Sequence, residues 1–364
     1  MMNISSNCSA SAAEQKPLDA RTLLIVGLLI ALTLATALLN CTVILAICTT
    51  RKLHLPANYL ICSLAVTDLL VATLVMPLSI LYIATEIWML GYVVCEAWLS
   101  MDMICCTCSI LHLCAIAVDR HWSITRALEY TCRRTARITA VMVTVVWTLS
   151  ILISVPPLFW RVDRCATQCT IEHDHVSYTI YSTFGAFYIP MALMLILYCR
   201  IFVAAKTLYQ KRSVGGGTNL CANGEAHEHY PSVQFVCVSQ MSPVPNNPGK
   251  PVELVASKDI DTPSPNASPR TLEDDKERSH LYSVRERRAA QTLGLILGAF
   301  VLCWLPFFVK ELMVGFGLFQ PTQHVSNFLT WLGYANSLIN PLLYTSFNED
   351  FKQAFKKLLQ CKKP

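Results

Sequence analysis

Seven stretches of this chain are too long and too apolar to be hidden inside a water-soluble fold. They run roughly Thr22–Thr49, Ala57–Ile83, Val93–Val118, Ile138–Trp160, Val176–Cys199, Ala289–Val309 and Val325–Phe347. A helix rises about 1.5 Å per residue, so about 20 apolar residues cross a hydrocarbon layer of about 30 Å. Every stretch meets that length. Only 15% of the 364 residues are charged, against 54% hydrophobic, which is too little charge to dress a soluble surface. Prolines inside the runs (Pro77, Pro156, Pro157, Pro190, Pro306, Pro341) fit membrane helices, where neighbouring groups satisfy the carbonyls that proline frees. The first run is too long for a signal peptide and follows a polar stretch, so it reads as a true span. The chain is therefore expected to be an all-α membrane protein, a seven-transmembrane helix bundle.

Lys and Arg in the short loops set the orientation. Arg51 and Lys52 follow the first span, Arg126, Arg133, Arg134 and Arg137 the third, and Lys352, Lys356, Lys357, Lys362 and Lys363 the seventh. The opposing loops before the first, third and fifth spans hold few, with Lys16, Arg21, Arg161 and Arg164. The N-terminus is thus expected outside and the C-terminus in the cytoplasm. The net charge of +5 reflects this asymmetry and implies no nucleic-acid partner.

The organisation follows. Residues 1–21 form an extracellular tail, 22–208 the first five spans, 209–283 a long cytoplasmic loop, 284–346 the last two spans, and 347–364 an amphipathic helix and tail. The long loop is rich in Pro, Ser, Asn and Gly and reads as disordered. Its ends are basic, with Lys206, Lys211 and Arg212 extending the fifth helix and Arg285, Arg287 and Arg288 starting the sixth. After the seventh span, Phe351, Phe355, Leu358 and Leu359 share one helical face and lysines lie toward the other, a short membrane-surface helix. Cys361 beside it suits palmitoylation. Asn3 and Asn7 open glycosylation sequons in the outer tail, whereas the Asn266 sequon falls inside. Most of the 17 cysteines lie within spans and act as small apolar residues. Outside, Cys8, Cys95, Cys165 and Cys169 are available for a bridge over the bundle, and sequence leaves the pairing open.

The exceptions to apolarity point to function, because an acid at mid-membrane costs at least about 2.5–3.5 kcal/mol. Asp102 lies about two turns below the outer end of the third span, reachable from outside. It suits a protonated amine, the alternative being a partner on another helix. Trp304, Phe307 and Phe308 fall at i, i+3 and i+4 around Pro306, and aromatic faces near a carboxylate are the chemistry of ammonium recognition. Asp68 sits deeper, where Ser109, Asn336, Ser337 and Asn340 can meet it. That group suits sodium or a water network, or else a protonated, hydrogen-bonded acid. Arg120 follows Asp102 by about 27 Å along the same helix and marks the inner boundary, where Glu286 can pair with it as a two-state latch.

These residues together resemble the rhodopsin-like G-protein-coupled receptors. The resemblance rests on Asn40, Leu64-Ala65-Val66-Thr67-Asp68, Asp119-Arg120-His121, Trp147, Pro190, Cys303-Trp304-Leu305-Pro306 and Asn340-Pro341-Leu342-Leu343-Tyr344, in order and at suitable depths. Asp102, Cys106, Thr107, Trp331 and Tyr334 resemble the aminergic branch. Within it the chain is most similar to the type-1 serotonin receptors, subtypes 1E and 1F. The resemblance implies that Asp102 binds the ligand amine. Met103, Cys106, Thr107 and Ile171 would line the pocket, with Ser182, Thr183 and Ala186 on the fifth helix. Phe307 and Phe308 would pack the ring, Trp304 would sense it, and Glu311, Thr330 and Tyr334 would border it. Alanine at 186 suits an indole better than a catechol. The family also implies a Cys95–Cys169 bridge and a sodium site at Asp68, Ser109, Asn336 and Asn340. Its activation switch would comprise Asp119, Arg120, His121, Glu286, Asn340, Pro341 and Tyr344. Coupling to inhibitory Gi/Go proteins, lowering cyclic AMP, and engagement of arrestin and receptor kinases are likewise implied. His121 departs from the family's usual tyrosine, and Cys165 adds a thiol to the loop.

Other classes fit less well. The seventh span has no lysine for a retinal Schiff base. A transporter predicts internal repeats, and none is found. No nucleophile–base set or metal cluster suggests an enzyme. The nearest rival is another biogenic-amine receptor, of dopamine or alpha-2 adrenergic type.

Overall fold

The structure is a computed structural model in which residues 19–125, 135–155, 169, 176–215 and 272–360 are described. Among these residues the secondary structure is helical throughout. Helix α1 is Ala20–Thr49, and α2 is Pro56–Thr85 with a π turn at Val71–Val75. Helix α3 is Gly91–Thr125 and α4 is Ala136–Ser154. Helix α5 covers residues 176–215, its parts Val176–Thr183 and Ile189–Gly215 joined by a π turn at Phe184–Tyr188. Leu272–Gly315 forms α6, Gln323–Phe347 forms α7 and Glu349–Leu359 forms α8.

Helices α1 to α6 are each long and apolar enough to cross a membrane. The seventh span, α7, has 25 residues but is more polar, because Asn336, Ser337, Asn340 and Tyr344 are buried against the bundle rather than facing lipid. The molecule is a seven-transmembrane bundle with polarity turned inward. Leu24, Leu28, Leu34 and Leu38 on α1, and Val141, Val145, Leu149 and Leu152 on α4, are exposed. Asn40, Asn58, Asp68, Ser109 and His112 are buried. In water that arrangement would be unstable; in hydrocarbon it is the favourable one.

Several helices run past their apolar stretches, α3 to Thr125, α5 to Gly215 and α6 back to Leu272, and two further boundaries differ. The sixth helix was expected to end at Val309 but continues to Gly315, since backbone hydrogen bonding, not apolarity, ends a helix. This brings Lys310 and Glu311 onto the helix. The fourth was expected to reach Trp160; α4 ends at Ser154, and residues 156–168 lie outside the described ones. The chain divides into two units, Met1–Leu208 with Glu286–Pro364, and Tyr209–Arg285. In the second, only the backbone of the α5 end and of the α6 start is described. The middle of the long loop, with the disorder expected there, lies outside the described residues.

Side-chain donors hold the helices together. Pro341 has no N–H, which leaves the Ser337 carbonyl one turn earlier without its helical donor. Asn40 of α1 donates its Nδ2 to that carbonyl at 3.1 Å and also to Thr36 O at 2.9 Å. A second tie joins α2, α3 and α4. Trp147 Nε1 donates to Ser63 Oγ at 3.2 Å, and His112 Nε2 lies 2.8 Å from the same oxygen. His112 Nδ1 is 2.8 Å from Cys108 O, which can only accept, so Nδ1 carries the proton and Nε2 receives the Ser63 hydroxyl. Every polar atom in this chain of contacts is then satisfied. At the outer end, Trp98 Nε1 donates to Val75 O at 3.1 Å, where the π turn of α2 ends, and Trp88 stacks on Trp98 at 5.1 Å.

Helix α8 starts at Asn348, whose side chain accepts from Asp350 N at 3.0 Å. Glu349 and Asp350 lie in its first turn and Lys356 and Lys357 in its last, matching the helix dipole. Of its apolar face, Phe351 and Ala354 are buried in the protein, so only part of that face remains for lipid.

Replacing Asn40 by Ala should destabilise the detergent-solubilised protein by about 1–3 kcal/mol, the cost of an orphaned buried polar group. In a Pro341→Ala background the same change should cost less, because residue 341 then supplies an N–H to Ser337 O. Equal losses in thermal unfolding in the two backgrounds would exclude this account of the α1–α7 tie.

Candidate ligand site within the helix bundle

Asp102 lies on α3 about two turns below Cys95, partly buried and in contact with residues of α3 and α7. Tyr334 of α7 donates its hydroxyl to Oδ2 at 2.9 Å, and the Cys106 thiol donates to Oδ1 at 3.2 Å. A partner on another helix therefore exists, but it is neutral. Among the described residues no Lys, Arg or His bonds Asp102, so the carboxylate's charge has donors and no counter-ion. A ligand ammonium would complete it.

An aromatic wall runs along α6. Trp304 meets Phe307 edge-on at 6.0 Å, and Phe307 meets Phe308 edge-on at 5.2 Å. Phe308 stacks on Phe187 of α5 at 4.5 Å with ring planes 7° apart. Trp304 also lies against α7 at Gly333, where a Cβ would sit 2.7 Å from the indole ring. Only glycine permits that approach beside Tyr334. The Trp304 approach at Gly333 thus brings the α6 rings beside the residue that precedes Tyr334, the α7 partner of Asp102.

The remaining expected residues fall as follows. Met103 is half-buried, and Thr107 is buried with its Oγ1 3.4 Å from Ser154 Oγ. Ser182 and Thr183 both donate to Thr179 O, at 3.3 and 2.6 Å, so their hydroxyl protons are spent on their own helix and their oxygens remain as acceptors. Ala186 is buried within the π turn that precedes Pro190. Thr330 is half-buried and donates to Ser326 O at 3.0 Å. Glu311 is buried and ion-paired with Lys310. Ile171 lies outside the described residues, as do Asn3, Asn7, Cys165 and Cys361. Cys95 and Cys169 are disulfide-bonded, their Cα atoms 5.8 Å apart, which anchors the chain between α4 and α5 to the outer end of α3.

Deeper in the bundle, Asp68 accepts three hydrogen bonds. Ser109 and Ser337 donate to Oδ1 at 3.0 and 2.9 Å, and Asn340 Nδ2 donates to Oδ2 at 3.0 Å. Asn336 is buried nearby on α7, its Nδ2 without a hydrogen-bond partner. At the inner end Asp119 is buried and Arg120 and His121 are half-buried. Tyr344 is buried with its hydroxyl unpartnered. The Glu286 side chain lies outside the described ones, so its pairing with Arg120 does too.

Sequence reasoning missed Gly333, Phe187 and Lys310. Neither Gly333 nor Phe187 shows a local signal, since each acts through a neighbour on another helix. Lys310 did offer one, as a cation beside Glu311 just past an apolar run.

Comparison with known proteins gives the family. Residues 39–344 match the 7 transmembrane receptor (rhodopsin family). The chain is 56% identical over 372 residues to 5-hydroxytryptamine receptor 1E of Cavia porcellus, covering 99% of each chain. It is 56% identical over 371 residues to 5-hydroxytryptamine receptor 1E of Homo sapiens, again covering 99% of each. To 5-hydroxytryptamine receptor 1F of Homo sapiens it is 53% identical over 341 residues, 91% of each.

Proposed function

Because the chain belongs to the rhodopsin family of seven-transmembrane receptors, we propose that it is a plasma-membrane receptor for serotonin that signals through Gi/Go-type G proteins. The observation that carries the amine reading is the Asp102 carboxylate, held by two neutral donors beside an aromatic wall. In that role Asp102 pairs with the ligand ammonium while Tyr334 fixes the carboxylate's orientation. Phe307 and Phe308 enclose the ring, and Trp304 transmits its position down α6. Met103, Cys106, Thr107, Ile171, Glu311 and Thr330 complete the surround. On α5, Ala186 leaves room for an indole, and the oxygens of Ser182 and Thr183 can accept from a ring hydroxyl or N–H. The names of the relatives, receptors for 5-hydroxytryptamine, support serotonin over a catecholamine.

The N-terminus is assigned to the outside, with glycans at Asn3 and Asn7, and the C-terminus to the cytoplasm, with a palmitate at Cys361. Asp119, Arg120, His121, Glu286, Asn340, Pro341 and Tyr344 are assigned to the inner switch through which a G protein, and later arrestin and receptor kinases, sense the ligand. The Ser109 and Ser337 hydroxyls and the Asn340 amide gather on the buried Asp68 carboxylate, and Asn336 is also buried on α7. That chemistry fits a sodium ion, which takes oxygen donors as hard cations do. When bound, sodium would neutralise Asp68.

Asp102→Asn should abolish high-affinity serotonin binding while surface expression persists, and serotonin should outcompete dopamine and noradrenaline on the unaltered receptor. Unchanged serotonin affinity in the variant would remove Asp102 from the site. Serotonin should lower forskolin-raised cyclic AMP, and pertussis toxin should block the effect; a calcium response alone would assign another G-protein class. Asp68→Asn should eliminate the dependence of agonist affinity on sodium concentration, and a retained dependence would place the ion elsewhere.

A further inference from the structure

Lys310 sits where a ligand cation could sit. Its Nζ lies over the Phe307 ring, 4.7 Å from the centroid, and it is ion-paired with Glu311. Its side chain is 10% exposed and that of Glu311 11% exposed, so the pair is withdrawn from solvent. Neighbouring residues on a helix ordinarily diverge, yet here Lys310 reaches both the Phe307 ring and the Glu311 carboxylate. A carboxylate beside a π face is the chemistry that recognises an ammonium. The bundle thus holds two such seats. One is Asp102 with its aromatic neighbours; the other is Glu311 with Phe307, and the chain fills it with its own lysine. The two are joined through contacts already described, from Asp102 to Tyr334, past Gly333 to Trp304, and from Trp304 to Phe307.

We infer that Lys310 is a resident counter-cation occupying a second ammonium subsite formed by Glu311 and Phe307, and that it restricts the pocket to ligands with a single positive charge. This rests on the reading of Asp102 as the primary amine anchor. With Lys310 in place, a ligand carrying a second ammonium meets a like charge in a poorly screened setting, and the mutual repulsion disfavours it. Without Lys310, the same group takes the lysine's place on the carboxylate and the ring. The selectivity arises from a positive charge contributed by the chain, not from pocket size.

The test compares two probes on the full-length receptor in membranes: serotonin, with one ammonium, and 5-(aminomethyl)tryptamine, the same indole with two. In Lys310→Met the affinity ratio should move at least tenfold toward the dication, one decade corresponding to about 1.4 kcal/mol. Lys310→Arg should keep the original ratio. In Lys310→Met/Glu311→Gln the gain should disappear. A ratio that stays put in Lys310→Met, or a gain that survives in the double variant, overturns the inference. If Lys310→Met does not reach the surface, Lys310→Gln carries the same expectation. Asp102→Asn separates the two levels. Loss of serotonin binding there, with no change of ratio at Lys310, refutes the second subsite alone. Serotonin affinity that survives in Asp102→Asn refutes the anchor, and the subsite with it.

Discussion

Hydrocarbon offers no hydrogen bonds, and from that one constraint the rest of this structure follows. A polar group inside the bilayer must find its partner within the protein or remain unsatisfied at a cost of several kcal/mol. Helices satisfy their own backbones except where proline intervenes. At Pro341 the freed Ser337 carbonyl is met by Asn40 from another helix, so a local defect becomes a tertiary tie. The Trp147–Ser63–His112 contacts do the same for three helices at once. Specific donors, not apolar burial, select which helix faces meet, since lipid tails are as apolar as leucine.

The same constraint makes charge conspicuous. Asp68 is fully surrounded by donors, with two hydroxyls and an amide sharing its oxygens. Asp102 has two neutral donors. Glu311 has a lysine. These three carboxylates thus show different solutions to one problem. Asp68 is met by a network of dipoles, Glu311 by an internal ion pair, and Asp102 by orientation without neutralisation.

The spans were legible because hydrophobicity over about 20 residues is a strong signal. The seventh was readable as well, though its buried Asn336, Ser337 and Asn340 make it more polar than the other six. Helix ends were less legible. Val309 closes an apolar run, yet the backbone ladder continues to Gly315 because hydrogen bonding does not depend on side-chain polarity. Asp102 and Asp68 stood out by charge alone, and Tyr334 was named through resemblance rather than through any pattern that would place its hydroxyl on Asp102. Gly333 carries no side chain to notice; its role is the space it leaves for Trp304. Contacts between residues hundreds of positions apart, such as Asn40 with Ser337, require the fold before they can be seen.

Selectivity in such a pocket is a difference between two affinities, and it can be set by repulsion as well as by attraction. A carboxylate held as Asp102 is would attract any protonated amine and by itself would discriminate little among them. The aromatic wall adds shape, since Phe308 is fixed by stacking on Phe187 and Trp304 by the missing Cβ at Gly333. Rings held this firmly cannot reshape themselves to admit a bulkier ligand without losing those contacts. Lys310 adds a positive charge over the Phe307 ring. Under the proposed reading, attraction at Asp102, fixed rings between, and the charge of Lys310 would together favour a ligand of one charge and limited length. Of these three, only the first is announced by the chemistry of a single residue; the other two exist because neighbouring helices bring glycine, phenylalanine and lysine against the same aromatic wall.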